Sequence, residues 1–338
     1  MNVALIIEWI IKSVVIILVL LTGFAYLTLY ERKTLARFQV RIGPNRAGPK
    51  GFFQPVADGI KLLFKEELIP AQAYRVVFVL APIITVVPAL IIMAVVPWGG
   101  TITVFGRPIT LGLTDINVGV LYIMSIASIS VYGIVLAGWA SNNKYAMMGG
   151  MRSSAQMISY ELALGLAFVG PMLLAQSMSM QEIVNAQREM GWFILYLPLG
   201  AVIFWWATVA EVNRAPFDMP EAEQELTAGY HTEYSGLKFA LFFMAEYIKM
   251  IAVSAIAATL FFGGYDGPFV DQVPILGPIY LFLKVVILLF GMIWIRATLP
   301  RIRYDRLMAF GWKILLPLSL ANVVLTAVVI VVLETLKA

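Results

Sequence analysis

Carboxylates inside apolar segments are the residues of this chain best suited to proton chemistry. Glu161 and Glu246 each lie within a long apolar run, where a charged side chain is costly and marks a functional position by default. Lys249 follows Glu246 by three residues and could pair with it on one helix face, so a structural ion pair is the alternative there. Glu161 has no basic residue within a helical turn, and a buried carboxyl of this kind can change its protonation state. Glu161 is therefore the strongest single candidate for a proton carrier.

A second group of acids is concentrated in residues 211–233. These acids are Glu211, Asp218, Glu221, Glu223, Glu225 and Glu233. If the segment after Pro220 is helical, two of them stack one turn apart. Crowded carboxylates repel one another, so some are expected to hold protons at neutral pH and to store or pass them. A solvated acidic loop is the alternative, but apolar neighbours such as Phe217 and Tyr230 argue against it.

The cysteine and histidine counts limit the redox chemistry that this chain can hold. It contains no cysteine and a single histidine, His231. These counts exclude disulfides, thiolate metal sites, iron–sulfur clusters and bis-histidine haem within the chain. The sequence also lacks the glycine-rich motifs that bind nucleotide phosphates. We therefore predict no metal and no bound cofactor here, and any redox centre is expected in a partner subunit.

The composition predicts that lipid is the solvent of the elements that position these residues. Hydrophobic residues make up 61% of the 338 residues and charged residues 13%, with a mean hydropathy of +0.87. Eight apolar segments are each near or above the about 20 residues that cross a bilayer as a helix. They are 3–30, 76–98, 116–140, 153–179, 191–210, 239–265, 274–295 and 314–333. We predict an all-α polytopic membrane protein with a single membrane domain, 1–338.

Basic residues are concentrated in alternate connections between these segments. Of the 24 Lys and Arg residues, 18 lie in the odd-numbered connections. By the positive-inside rule, those connections face the cytoplasm and both termini lie on the opposite side. One of them, the cytoplasmic loop at 31–75, is of a length that is uncommon unless the loop is functional. Another is the acidic cytoplasmic loop at 211–238.

The first cytoplasmic loop contains an amphipathic pattern. Residues 52–68 place apolar side chains on one helical face, with Asp58 among the polar ones on the other. This pattern predicts a helix lying on the membrane surface, for which a plain interfacial anchor is the alternative role. Before it, Arg41 and Arg46 flank a Gly-Pro turn that could hold a carboxylate or a polar headgroup.

Several of these segments together resemble one known family. They are Glu31-Arg-Lys33, Arg41-Ile-Gly-Pro-Asn-Arg46, Gln54-Pro-Val-Ala-Asp58, Glu211-Val-Asn-Arg-Ala-Pro-Phe-Asp-Met-Pro-Glu-Ala-Glu-Gln-Glu225, Gly229-Tyr-His-Thr-Glu-Tyr-Ser-Gly236 and Phe243-Met-Ala-Glu246-Tyr247. The chain is similar over its whole length to the H subunit of bacterial NADH–quinone oxidoreductase, respiratory complex I.

The resemblance implies a role at the junction of the membrane and peripheral arms of that complex. The subunit would form the membrane side of the quinone chamber and its entrance from lipid. Quinone would be the substrate, while FMN and iron–sulfur clusters would sit in partner subunits. The implied setting is the bacterial inner membrane, with other complex I subunits and lipids as partners and no nucleic acid.

The resemblance also assigns roles to individual positions. The implied quinone-path positions are Arg32, Arg41, Asp58 and Phe217. The implied acidic funnel comprises Asp218, Glu221, Glu223 and Glu225, and its continuation into the membrane comprises Glu211, Glu161 and Glu246.

Three alternatives stay open on the sequence. Membrane-bound hydrogenases carry a paralogous subunit, which would keep the fold and change the reaction. A stand-alone ion-coupled transporter would also use intramembrane acids, although its expected pair of broken spans in matching halves is not evident. A purely structural anchor explains the basic loops but leaves Glu161 and the acidic run unexplained.

Overall fold

The computed structural model describes residues 3–104, 107–218 and 229–337, which form a bundle of long helices. In chain order the helices are α1 (Val3–Phe38), α2 (Gln54–Phe64), α3 (Arg75–Ile92), α4 (Gly119–Ala140), α5 (Lys144–Ala175), α6 (Met180–Met190), α7 (Phe193–Tyr196), α8 (Pro198–Glu211), α9 (Gly236–Phe261), α10 (Leu276–Thr298), α11 (Tyr304–Phe310) and α12 (Leu316–Lys337). A π-helical turn at Gly311–Leu315 joins α11 to α12. The predicted all-α polytopic architecture is confirmed.

Seven helices in the described ranges are long and apolar enough to cross a membrane. The fifth predicted segment, 191–210, differs because it is divided into α7 and α8 at Leu197, which has non-helical backbone angles. Pro198 opens α8, since proline suits a first helical turn but disfavours a helical residue before it. With 14 residues, α8 rises about 21 Å, which is less than the hydrocarbon thickness.

The first predicted loop is shorter than the sequence suggested. Helix α1 continues for 36 residues, so Glu31 and Arg32 lie on its last turns rather than in a loop. Helix α2 occupies the centre of the predicted amphipathic segment 52–68. Its apolar side chains Val56, Ile60 and Leu63 are more than half exposed, as expected for a helix whose apolar face contacts lipid.

Small residues allow the central helices to approach closely. A Cβ atom on Gly133 of α4 would lie 2.1 Å from the Thr85 hydroxyl of α3. A Cβ atom on Gly149 of α5 would lie 2.6 Å from the Cα atom of Gly229. Such contacts are typical of membrane helices, whose association depends on close packing rather than on the hydrophobic effect.

Two elements at one end of the bundle were not predicted from the sequence. Strands β1 (Thr101–Val104) and β2 (Arg107–Thr110) form an antiparallel hairpin between α3 and α4. Helix α6 lies between α5 and α7 and is capped by the Ser179 hydroxyl, which accepts from the Glu182 amide at 3.3 Å. The amide of Val120 donates to the carbonyl of Met178 at 3.0 Å, which ties these two connections together.

Candidate functional site

A buried group of charged side chains lies where α1, α8 and α9 meet. Arg214 is 4% exposed and its Nη1 lies 3.4 Å from Oε1 of Glu31, which is 3% exposed. The Nε of Arg214 lies 2.5 Å from Oε1 of Glu246. The guanidinium also stacks over the ring of Tyr247 at 4.3 Å, and Arg296 forms a further ion pair with Glu31. Pairing of this kind is what permits several charges to be buried together.

Sequence reasoning found only part of this group. It considered Lys249 as the partner of Glu246, whereas the structure pairs Glu246 with Arg214 from a distant segment. It did not single out Glu31, because a charge that follows an apolar segment looks like an ordinary flank. The partners of Glu246 and Glu31 could not be read from helical spacing.

The backbone after α8 places Arg214. Val212 caps the helix, and Asn213 adopts a positive φ of 55° that turns the chain out of the helical path. The Nε2 of Gln156, which is fully buried, donates at 2.8 Å to the carbonyls of both Ala210 and Phe217. These two bonds join the ends of the turn to α5.

A second group of polar side chains lies deeper, between α4, α5, α8 and α9. Lys249 is 6% exposed and donates to the hydroxyl of Ser130 on α4. Two residues earlier on the same helix, the hydroxyl of Ser128 donates to Glu161 of α5. Glu211 is 7% exposed, and its strongest charged neighbour is Lys249. Glu161, which has no basic neighbour along the sequence, interacts electrostatically with this lysine from another helix.

Phe217 and Asp218 are both buried. Phe217 is 1% exposed and packs against the rings of Tyr160 and Phe310 at 5.6 and 6.2 Å. Asp218 is paired with Arg301, with 3.1 Å between Oδ2 and Nη2. The ring of Phe217 is thus enclosed by side chains of this chain. The remaining funnel candidates, Glu221, Glu223 and Glu225, lie outside the described residues.

The predicted entrance residues divide into a pair and a separate side chain. Arg32 on α1 pairs with Asp58 on α2, with Nη1 and Oδ2 separated by 2.7 Å. Gln54 also donates to Asp58 at 3.2 Å. Arg41 is exposed and donates to Gln39 at 2.7 Å.

An apolar cavity of about 210 Å³ opens beside this entrance, between α1, α9 and α10. Its lining includes Gly23, Tyr26 and Leu27 of α1, Ile251 of α9 and Leu281 of α10. The ring of Tyr26 lies 5.0 Å from that of Phe52, which lies two residues before α2. The lining residue Tyr26 therefore contacts the segment that leads into the surface helix.

His231 lies in an aromatic environment close to the deeper group. Its ring is 3.9 Å from that of Tyr230 and 5.5 Å from that of Phe242. Burial lowers its pKa from 6.5 to about 3, because the imidazolium form would lose its hydration. His231 is therefore neutral at physiological pH.

Acidification is expected to destabilise the protein partly through His231. Because its folded pKa of about 3 lies below its unfolded value, the unfolded chain binds more protons between these two pH values. The neutral His231 side chain therefore makes its full contribution to the free energy of unfolding above about pH 6.5. This contribution is lost as the pH falls, and the loss reaches about 2 kcal/mol at pH 5. Thermal midpoints measured from pH 8 to pH 5 should fall more for the wild type than for His231→Phe. If the thermal midpoints of the wild type and His231→Phe fell equally with pH, His231 would be shown to take up a proton in the folded protein.

Within the residues that the structure describes, no group of three or more His, Asp and Glu side chains is arranged to hold a metal ion. The carboxylates of Glu31, Glu246 and Asp218 are paired with arginines instead. Their arrangement suits the transfer of protons or charge between carboxylates.

Comparison with known proteins decides the family. A family model described as NADH dehydrogenase matches residues 11–327 of this chain. The chain belongs to the NADH dehydrogenase family. The H subunit of NADH-quinone oxidoreductase from Thermomicrobium roseum is 53% identical over 324 residues, which cover 93% of this chain and 94% of that protein. NADH-quinone oxidoreductase subunit 8 of Thermus thermophilus is 51% identical over 320 residues, which cover 94% and 86%.

These findings confirm the resemblance found in the sequence. The relatives of this NADH dehydrogenase family member are named as subunits of an enzyme, which favours a subunit over a stand-alone transporter or a simple anchor. Its long apolar helices make it a multi-pass membrane subunit. The individual site residues and the side of the membrane that each loop faces are proposals.

Proposed function

We propose that this chain forms the membrane side of a quinone-binding chamber and couples quinone reduction to proton translocation in NADH–quinone oxidoreductase. One observation carries the proposal: neighbouring residues on α1 join the entrance to the buried acids. Arg32 pairs with Asp58 on the surface helix, while Glu31 contacts Arg214, which in turn contacts Glu246. Only a few ion pairs thus separate the charged groups at the entrance from Glu246 in the membrane interior.

Quinone would enter from lipid beside α1 and α2. The exposed apolar face of α2 and the adjoining apolar cavity suit an isoprenoid tail, which needs an unbroken apolar route. The charged pair of Arg32 and Asp58 lies at the end of that route and would contact the polar head group. Arg41 and Phe217 are also proposed quinone-path residues, and Phe217 lies in the packed interior.

Protons would follow the acids from the loop after α8 into the bundle. The proposed path comprises Asp218, Glu221, Glu223 and Glu225, and its continuation into the membrane comprises Glu211, Glu161 and Glu246. Two unit charges about 4 Å apart at an effective dielectric constant of about 20 interact by about 4 kcal/mol. A protonation change at the chamber is therefore large enough to shift the charge state of the next group.

The redox centres belong to other subunits under this proposal. FMN and iron–sulfur clusters in the peripheral arm would deliver electrons to the quinone, and antiporter-like subunits would receive the coupled change. The chain has no cysteine with which to bind a cluster of its own. The setting would be the inner membrane, with the odd-numbered loops in the cytoplasm and both termini on the other side.

Purification of the tagged chain in mild detergent tests the proposed function. We expect flavin and iron–sulfur subunits to copurify and the preparation to catalyse NADH-driven, inhibitor-sensitive quinone reduction. Copurification with a nickel hydrogenase would keep the fold and change the reaction. A lone chain that exchanges protons for another ion in liposomes would overturn the proposal.

Asp58→Asn is expected to raise the apparent KM for quinone about three- to ten-fold, with a smaller change in kcat. The substitution keeps the shape of the side chain but removes the charge that holds Arg32, at a cost of about 0.7–1.4 kcal/mol in binding. Steady-state kinetics with long-tailed and short-tailed quinones would measure this change.

Asp271→Asn is the matched control for Asp58→Asn. Asp271 is exposed and pairs with Arg188 in the connection between α9 and α10, at the other end of the bundle. Its replacement should leave the KM unchanged. An unaltered KM for both quinones in Asp58→Asn would count against the proposed route.

A further inference from the structure

The pair of Glu211 and Lys249 separates two small cavities inside the bundle. Each cavity has a volume of about 20 Å³, which is room for one water molecule. Glu211 and Lys249 line both cavities, and no other lining residue is shared between them. Any proton passing from one cavity to the other therefore meets this pair.

The two cavities differ in polarity. The first is lined by polar side chains that include Asn213, His231 and Glu246. The second is lined by Ile123, Phe168, Phe204 and other apolar side chains, with Thr208 as the polar residue beyond the shared pair. A buried water molecule needs two to four polar partners, so water in the second cavity depends on Glu211 and Lys249 themselves.

The hydrogen bonds of Glu211 and Lys249 leave both side chains able to change partners. The Oε2 atom of Glu211 is buried and accepts no hydrogen bond from the described residues. The ammonium of Lys249 donates to Ser130, and Ser128 on the same helix bonds Glu161. Glu211, Glu161 and Glu246 all interact electrostatically with Lys249. Glu246 is already in contact with Arg214.

We propose that Lys249 is the positioning cation that controls proton passage from the polar cavity through Glu211 to Glu161, an inference that rests on the proposed function. With Glu211 ionised, Lys249 is attracted to Glu211 while it donates to Ser130, and the two charges close the passage. A proton from water in the polar cavity binds Oε2 of Glu211 and neutralises it. Glu161 then remains as a carboxylate that interacts with Lys249, because Glu246 is in contact with Arg214. The positive charge of Lys249, which ionised Glu211 no longer offsets, then lowers the free-energy cost of ionising Glu161. Glu161 releases its proton further along the proposed path.

Lys249→Met tests this role in membrane vesicles that contain the whole complex. Quinone reduction and proton uptake are measured in the same vesicles, and their ratio is the readout. We expect the ratio of protons moved per quinone reduced to fall at least two-fold in Lys249→Met. Lys249→Arg keeps the charge and should recover part of the ratio, which a purely packing role would not predict. A wild-type ratio in Lys249→Met would overturn the assignment.

Lys284→Met is the matched control, because it removes another lysine from a spanning helix. The ammonium of Lys284 donates to the carbonyls of Gly264 and Asp266 at 2.8 and 2.7 Å, away from both cavities. The ratio of protons moved per quinone reduced should stay at the wild-type value in Lys284→Met. If wild-type vesicles reduce quinone without moving protons, the proposed function itself fails, which is distinct from failure of the Lys249 assignment alone.

A double variant keeps the test decisive if Lys249→Met does not assemble. Removing one of two interacting buried charges leaves the other uncompensated, whereas removing both does not. Glu211→Gln combined with Lys249→Met is therefore expected to assemble and to show the same lowered ratio. A wild-type ratio in the double variant would overturn the proposal, and so would failure of both variants to assemble, because the pair would then be a scaffold.

Discussion

Arg214→Met is expected to destabilise the protein by about 3–5 kcal/mol and to reduce the yield of assembled complex. Arg214 is 4% exposed between Glu31 and Glu246, so its removal leaves two carboxylates buried with less compensation. The stacking of the guanidinium over Tyr247 is lost as well. Native gels and the thermal midpoint of the purified complex would measure both effects.

Two further variants separate charge from geometry at this position. Arg214→Lys keeps the charge but cannot present a planar fork to two carboxylates, so an intermediate loss is expected. Arg303→Met removes an arginine whose side chain is 77% exposed and paired with Asp305, and it should have little effect. If Arg214→Met melted and assembled like Arg303→Met, the buried ion pairs would not be structural.

Glu161→Gln and Glu246→Gln are each expected to lower the rate of quinone-linked proton translocation at least about ten-fold, or about 1.4 kcal/mol in barrier height. Glutamine can replace the hydrogen bond that Glu161 accepts from Ser128, but it cannot take up and release a proton. Proton translocation and quinone reduction should be measured separately in the same vesicles.

Glu189→Gln provides the control for these substitutions. Glu189 is exposed near the end of α6 and lines neither of the two small cavities. Its replacement should change neither rate. If translocation and quinone reduction both survive in Glu161→Gln and in Glu246→Gln, these two acids are not on the proton path.

The periodic features of the fold could be predicted because they depend on local chemistry. A run of about 20 apolar residues must be helical in lipid, since each backbone group has to bond within its own segment. The amphipathic pattern that contains α2 follows from helical periodicity in the same way. The interruption at Leu197 escaped prediction, because hydropathy is unchanged there and Pro198 is compatible with a helix start.

The site shows the same division between local and distant information. The sequence by itself identified the family and singled out Glu161 and Glu246, since a carboxylate in an apolar segment is costly wherever the chain folds. Only the tertiary structure decided their partners. Arg214 lies 183 residues from Glu31 along the chain, and Lys249 lies 119 residues from Ser130. Such pairs form because a buried charge takes whatever opposite charge the packed helices bring within reach, and helix packing is a property of the whole bundle.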